Sequence, residues 1–511
     1  MPDYDVVIVG GGLSGLSAAF RLEMERRNNP ARQGLKYVLL ESAEQLGGRT
    51  VSVGCDKDYG AGYVGQAQNY VMFLIRVLQV KTFPTYLPKD HEWLYHDGGN
   101  DRIKRFPGDD PMNFPGVPNA AFRLADLDAQ VLDLRRYLRD PWNYPGAAVL
   151  DGRTIQDFID EQAGFWAAHG GTNPMIGMSP DTVRIFTASV RAAFSMEPRE
   201  ISFFFFLYYA ACAGTYSSLV DIAGGEATAE GTRLLNGTAD LVQRLAAQLV
   251  PGSVRTNEPV LRIFSDGPRG VTVETATTRI TTRKVIVALS PAASMNINYN
   301  GLMSTPDGVH RRRLCQAMRG CMGRTVKGFV DFKKPVWRDN KDIHRSDGKQ
   351  GLMGYMLSTA NIERFPVNWT LDNSWEPPDE RPPTYSLMTF IAGDYADHWC
   401  NLTLQERANA VIDQLHGAFG TTDQDLLNPA SREANYTESD WHLQAPNGVP
   451  APAAMMPRGV LSDPELGGAL RRPLDNVHWA GSEAALEWCG YMNGAIESGF
   501  RAAAEVLPLV P

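Results

Sequence analysis

Three groups of residues combine types and spacings that could do chemistry. The first is Gly10-Gly11-Gly12-Leu13-Ser14-Gly15, which follows at once on the β-branched run Asp5-Val6-Val7-Ile8-Val9. Gly10, Gly12 and Gly15 form a GxGxxG pattern. The first glycine permits a tight turn, the second lets backbone approach a pyrophosphate, and the third lets a helix pack close to a strand. Glu41 ends a second apolar run, Lys36 to Leu40, where a carboxylate can accept hydrogen bonds from ribose hydroxyls. That carboxylate also disfavours a 2′-phosphate. Together these residues point to dinucleotide binding.

The second group centres on Lys327, inside the apolar run Met322 to Phe332. A lysine in an apolar strand is costly unless it is paired or lowers its pKa. A solvent-facing lysine and a chemically active one both fit the residues alone. The third group is Trp488-Cys489-Gly490-Tyr491-Met492-Asn493-Gly494-Ala495-Ile496-Glu497-Ser498-Gly499, close to the C-terminus.

The elements that must position these groups follow from the same pattern. Asp5 to Val9 reads as a buried parallel strand, and Leu16 to Glu25 as a helix. The N-terminus of that helix offers free N–H groups and a positive dipole end to phosphates. The run Ile201 to Gly214, with four consecutive phenylalanines from Phe203 to Phe206, falls short of the roughly 18 apolar residues of a membrane span. It reads as a buried element. The proline-rich stretches Phe106 to Pro118 and Phe365 to Tyr385 read as long loops.

Composition narrows the function classes. The 511 residues are 43% hydrophobic and 21% charged, enough for a full core and more than one domain. A net charge of −9 argues against nucleic acid as the main partner. Six cysteines without a CxxC pair suggest free thiols in a reducing, cytoplasmic compartment. The opening Met1-Pro2-Asp3-Tyr4-Asp5 carries no secretory pattern. Nine unclustered histidines indicate neither a metal site nor a Ser-His-Asp triad.

The segment after Glu41 sharpens the reading. Glu41 is followed, after five intervening residues, by Gly47-Gly48-Arg49. This resembles the FAD-binding start of the flavin-containing amine oxidase family, which includes monoamine oxidases and L-amino-acid oxidases. Asp58-Tyr59-Gly60-Ala61-Gly62-Tyr63-Val64-Gly65 is similar to the monoamine-oxidase segment that passes the flavin ring. Val254 to Val260 and Thr281 to Ser294 resemble two later strands of the FAD domain. Val477 to Glu483 resembles the strand and turn under the diphosphate. Trp488 to Gly499 is close to the monoamine-oxidase signature W-x-GYM-x-GA-x-E-x-G. The matches run from residue 5 to about 507.

The resemblance implies an α/β fold. A Rossmann-type FAD-binding domain, built from 1–85, 235–295 and 440–511, is interleaved with a mixed α+β substrate-binding domain from 86–234 and 296–439. It implies cofactor contacts from Gly10, Gly12, Gly15, Glu41, Gly48, Arg49, Gly62, Tyr63, Val260, Gly481, Glu483, Gly490 and Met492. Lys327 would hold a water at the flavin, and Tyr491 would form one wall of an aromatic cage. Tyr63, Glu226 and Trp488 would line the substrate pocket, and the run Ile201 to Gly214 would line the cavity as well as serve as a core helix. Glu226 suits the distal ammonium of a diamine, or is an exposed loop glutamate.

Two departures from the family pattern shape the expected chemistry. The stretch Pro446 to Pro457 has neither the cysteine nor the tyrosine that monoamine oxidases carry there. This implies non-covalent FAD and a cage open on one side. Tyr63 stands where L-amino-acid oxidases place a carboxylate-clamping arginine, which favours amines over α-amino acids. Arg324 or Arg233 could still reach in. The implied reaction removes a hydride equivalent from the carbon bearing the amine. The imine gives an aldehyde or ketone plus ammonia, and oxygen becomes hydrogen peroxide. The alternatives are an L-amino-acid oxidase and an FAD-dependent desaturase on the same scaffold. Expected partners are a small-molecule amine, oxygen and a second copy of the chain in a homodimer.

Overall fold

A computed structural model describes residues 2–88, 91–107, 117–220, 231–265, 267, 270–338, 351–440 and 452–511. The chain opens with strand β1 (Tyr4–Val9), in which Val6, Val7 and Ile8 are fully buried. A strand covered on both faces reads as a continuous apolar run, as this one does. Helix α1 (Leu13–Asn28) starts three residues earlier than its pattern suggested, with extended Gly12 as its N-cap. Strand β2 (Tyr37–Leu40) pairs parallel to β1 on one side, and strand β3 (Arg279–Val287) pairs parallel on the other.

Short strands Val254–Arg255 and Val477–Trp479 join the same sheet, parallel to β2 and β3 respectively. Two antiparallel strands, Val271–Glu274 and Arg262–Ser265, complete its seven. The strand expected over Val254 to Val260 stops after two residues. Asn257 then turns the chain with φ of 57°, in the left-handed region.

Helix α2 (Asn69–Val77) is capped from far along the chain: the N–H groups of Tyr70 and Val71 donate to Asn493 Oδ1 at 2.8 and 3.2 Å. Helix α3 (Phe203–Ala213) is buried at every residue. Apolar character all round marks a core helix, and here it lies inside the largest apolar cluster. Helix α4 (Thr238–Ala246) packs on α1, and α5 (Met492–Val506) lies along α1 over its length. A Cβ on Gly499 would stand 2.2 Å from Ser14 O, so glycine sets how close α1 and α5 approach.

A second, seven-stranded sheet carries the other half of the molecule. Its longest strands are β4 (Thr325–Phe332) and β5 (Tyr385–Ala392), antiparallel in unbroken register from Thr325↔Ala392 to Phe332↔Tyr385. Trp369–Asp372 is a further strand of this sheet, paired to β5. Part of the stretch that reads as a proline-rich loop is thus a buried strand. The prolines lie outside its four residues, and Trp369, Thr370 and Leu371 are the buried content. The expected loop from Phe106 to Pro118 lies largely outside the described residues.

Every strand of the first sheet comes from 1–85, 235–295 or 440–511. The second sheet draws on 86–107, 325–392 and 436–440. A small three-stranded sheet joins Tyr63–Val64, Thr232–Leu234 and Thr82–Pro84 across the two halves. No described helix is long and apolar enough to cross a membrane.

Candidate active site

The glycine loop after β1 forms one wall of a cavity of about 460 Å³. Gly10 has φ of 105°, and a Cβ there would meet Ala288 O at 2.8 Å. At Gly12 the nearest atom to an added Cβ is 3.8 Å away, so bare backbone faces the cavity. Gly15 serves packing: its Cβ would lie 1.9 Å from Gly10 O. Glu41 is 5% exposed and lines the cavity. Its Oε2 accepts the Gly11 N–H at 2.6 Å, and its Oε1 accepts the Ala43 N–H at 2.8 Å. A carboxylate held this way cannot swing away from the loop.

Gly48 lines the cavity with φ of 59°, and Arg49 follows it. Arg49 grips Glu483 with both ends of its guanidinium, Nη1 to Oε1 at 2.7 Å and Nη2 to Oε2 at 3.0 Å. Nη1 also donates to Pro452 O at 2.7 Å. Burial by itself raises the Glu483 carboxyl, but the charge and hydrogen bonds of Arg49 hold it below the ordinary carboxylate range. This pair ties the turn after β2 to the turn after Val477–Trp479. Gly481, with φ of 125°, donates its N–H to Ser14 Oγ at 2.9 Å.

The second sheet supplies the facing wall. Lys327 on β4 is 4% exposed, and its ammonium donates to Gly60 O at 2.9 Å. The Nζ lies 5.5 Å from the centre of the Phe390 ring and 5.8 Å from that of Phe329. Trp369 stacks on Phe390 at 4.6 Å and 12°. Tyr355, Leu357, Trp369 and Phe390 make this wall largely aromatic. Tyr491 lines the cavity at the N-cap of α5, with Met492 beside it.

One cavity therefore gathers Gly10, Gly12, Glu41, Gly48, Arg49, Gly62, Tyr63, Lys327, Gly481, Gly490, Tyr491 and Met492. Gly15, Glu483, Val260 and Trp488 do not line it. Glu483 stands behind Arg49, and Val260 packs at the edge of the core between the first sheet's strands. Trp488 is buried, with φ of 51°, and meets Tyr491 edge-on at 5.3 Å. Glu226 lies outside the described residues, as do 446–451 of the stretch before the final strand. Tyr209 lines the cavity from α3, inside the Ile201 to Gly214 run, although the sequence singled out no residue of that run. Its ring is 6.1 Å from that of Tyr491, and burial followed by the neighbouring Tyr491 pushes its phenol well above the ordinary value. Nothing in the uniformly apolar run Phe203 to Ala213 marked Tyr209 among its neighbours.

Arg324 and Arg233 do not face the cavity. Arg324 grips Glu200 through two bonds of 2.8 Å, and Arg233 donates to the carbonyls of Ser374 and Asp56 at 3.1 and 2.9 Å. Among the described residues, Asp307, His310 and Glu465 bring metal-ligand atoms close together. They lie away from the cavity, and Arg472 already pairs with both carboxylates at 3.3 and 2.8 Å.

The bare backbone at Gly12 and Gly48, the pinned Glu41 and the aromatic far wall fit a dinucleotide carrying a planar ring system. Comparison with known proteins agrees in kind. The family model for flavin containing amine oxidoreductase matches residues 13–507. The probable flavin-containing monoamine oxidase A of Dictyostelium discoideum is 26% identical over 513 residues, covering 98% of this chain and 97% of that protein. The human amine oxidase [flavin-containing] B is 29% identical over 516 residues, covering 98% and 86%. Among solved structures, cyclohexylamine oxidase from Brevibacterium oxydans IH-35A superposes with a TM-score of 0.78 at 27% identity, covering 99% of both chains. Wild-type putrescine oxidase bound to putrescine has a TM-score of 0.79 at 23% identity, again covering 99% of both, a likeness of fold.

Proposed function

The chain belongs to the flavin-containing amine oxidoreductase family, and on that premise we propose that it is an FAD-dependent amine oxidase acting on small apolar amines. The single observation that carries this reading is the shared cavity. It joins a dinucleotide-type glycine loop to Lys327, Tyr491 and an aromatic wall without a break. Bound FAD would accept the hydride equivalent from the amine-bearing carbon and pass electrons to oxygen, giving hydrogen peroxide.

The chain's own residues do the rest. Gly10, Gly12 and Gly48 give the diphosphate close backbone approach, and Glu41 accepts from the ribose. Arg49 and Glu483 fix the two turns that flank it. The N-terminus of α5, opening at Tyr491 and Met492, turns its positive dipole end to the cavity and favours negative charge there. Lys327 holds a water at its ammonium. The wall of Tyr355, Trp369 and Phe390 excludes bulk water and so favours the neutral amine, the form that can react. Tyr491 and Tyr209 orient that amine.

Substrate charge follows from the cations. Among the described residues, those lining the cavity are Arg49 and Lys327, and Arg49 is already spent on Glu483. No arginine is left there to clamp an α-carboxylate, which favours amines over amino acids. No cysteine is among the described lining residues, and the buried Cys489 thiol is raised far above its ordinary value by burial. Both points favour non-covalent FAD. Cys55, Cys212, Cys315, Cys321 and Cys489 are free thiols, in keeping with a reducing compartment.

Anaerobic mixing with mono-, di- and polyamines and L-amino acids tests the reading. Bleaching of the oxidised-flavin band by simple amines, with peroxide appearing on admission of air, is the expected result. Bleaching by amino acids alone would transfer the protein to the amino-acid oxidases. No bleaching by any of them would return it to the desaturase reading.

A further inference from the structure

Asp58 is a buried carboxylate, 5% exposed, that the proposed chemistry leaves unused. Its Oδ1 accepts the Ser52 hydroxyl at 2.6 Å and the Thr238 N–H at 2.8 Å. The Thr238 hydroxyl lies 2.9 Å from that oxygen and 2.8 Å from Ala61 O. Asp58 thus sits at the N-terminus of α4, where a negative charge is favoured. The same network clasps the Gly60-Ala61-Gly62 backbone, and the Gly60 carbonyl is the one that receives Lys327 Nζ at 2.9 Å.

Gly62 separates the two charges. A Cβ built on Gly62 would be 3.4 Å from Asp58 Oδ2 and 3.5 Å from Lys327 Nζ. The carboxylate and the ammonium therefore flank one α-carbon, with no side chain between them. Neighbouring carboxylates are engaged elsewhere. Asp331, four residues along β4, pairs with Lys57 at 2.6 Å, and Glu483 pairs with Arg49. Glu438, in register with Gly328, pairs with Arg407.

We propose that Asp58 is the positioning residue for Lys327: it fixes the loop that binds the ammonium and supplies the counter-charge that keeps it protonated. An opposite charge within a few ångströms favours the charged form of a group, and burial without one disfavours it. This rests on the reading that Lys327 works beside the cofactor.

The test uses the flavin-loaded full-length protein as wild type, Asp58→Asn, Lys327→Met and the double variant. The flavin is photoreduced, so no amine is needed, and the rate at which oxygen restores the oxidised band is followed across pH. Asp58→Asn is expected to slow this step at neutral pH by about tenfold or more and to move its pH midpoint down. It is expected to change nothing further in the Lys327→Met background. A second readout is independent of turnover: acetylation of Lys327 by limiting acetic anhydride, followed by peptide mass spectrometry. Its pH midpoint should fall by about one unit or more in Asp58→Asn. Should Asp58→Asn not fold, Thr238→Val keeps the carboxylate, removes the bridge to Ala61, and should act in the same direction. Equal slowing in both backgrounds with an unmoved acetylation midpoint would overturn the proposal. A Lys327→Met protein that reoxidises like wild type would instead sink the role given to Lys327 itself.

Discussion

Lys327 is an expensive residue to bury, and its ammonium meets a carbonyl, two aromatic faces and a carboxylate across one glycine. Lys327→Met keeps the length of the stem and removes the charge. We expect flavin binding to survive and oxidative turnover to fall by about 100-fold, read by stopped flow. Glu483→Gln breaks a buried pair while leaving Arg49 half-facing the cavity. We expect a loss of about 3 kcal/mol of stability and weaker flavin retention, measured by denaturant unfolding and by flavin release on gel filtration. Acid precipitation of the wild type should release all flavin colour; colour left in the pellet would mean a covalent link. At this scale the sequence was most legible where a residue type admits few jobs, as with Gly12, Glu41 and Arg49. Tyr209 was not legible. One of two adjacent tyrosines in a buried helix looks like the other until the helix is set against Gly490 and Tyr491.

The elements are held at distances that only glycine allows. Gly15 brings α1 against the turn at Gly10, and Gly499 brings α5 against α1. Gly15→Ala places a methyl 1.9 Å from a backbone oxygen, so the helix must move off the strand. The expected outcome is loss of flavin binding with a fall of several °C in melting temperature, checked by thermal unfolding with and without added FAD. Strand β1, its loop and α1 could be read from periodicity, because a strand–glycine–helix unit is local. The strand Trp369–Asp372 could not, since its partners on β5 run from Leu387 to Phe390, well beyond local reach, and its flanking prolines suggest a loop. The shortness of Val254–Arg255 was hidden for a similar reason. Pairing to β2 ends where the chain turns at Asn257, and Val260, the one β-branched residue beyond it, lies outside the strand.

Across the whole molecule, acid should act through two buried glutamates in opposite senses. The folded-state value of Glu483 lies below the ordinary 4.5. Its contribution to stability is therefore complete above about pH 4.5 and is lost as pH falls through the lower folded value. Glu497 is raised above 4.5 by burial, so it costs stability once pH exceeds the unfolded value. Melting curves across pH should accordingly show a shallower acid decline in Glu483→Gln than in wild type, and Glu497→Gln should gain most near neutral pH. An equal acid decline in Glu483→Gln and wild type would remove Glu483 from that account. That one sheet takes strands from distant segments is not legible in local sequence. Hydrophobic periodicity shows that a strand exists, and says nothing about which distant strand it lies beside.

The strand Val477–Trp479 and α5 complete the first sheet and cover α1, yet they lie far beyond it in the chain. During synthesis the glycine loop is made more than 450 residues before its partners Gly481, Glu483 and Tyr491. Arg49 spends that interval without its carboxylate. The cavity beside the glycine loop stays open on that side until those distant residues exist, so the turn at Gly481 and the start of α5 act as its latch.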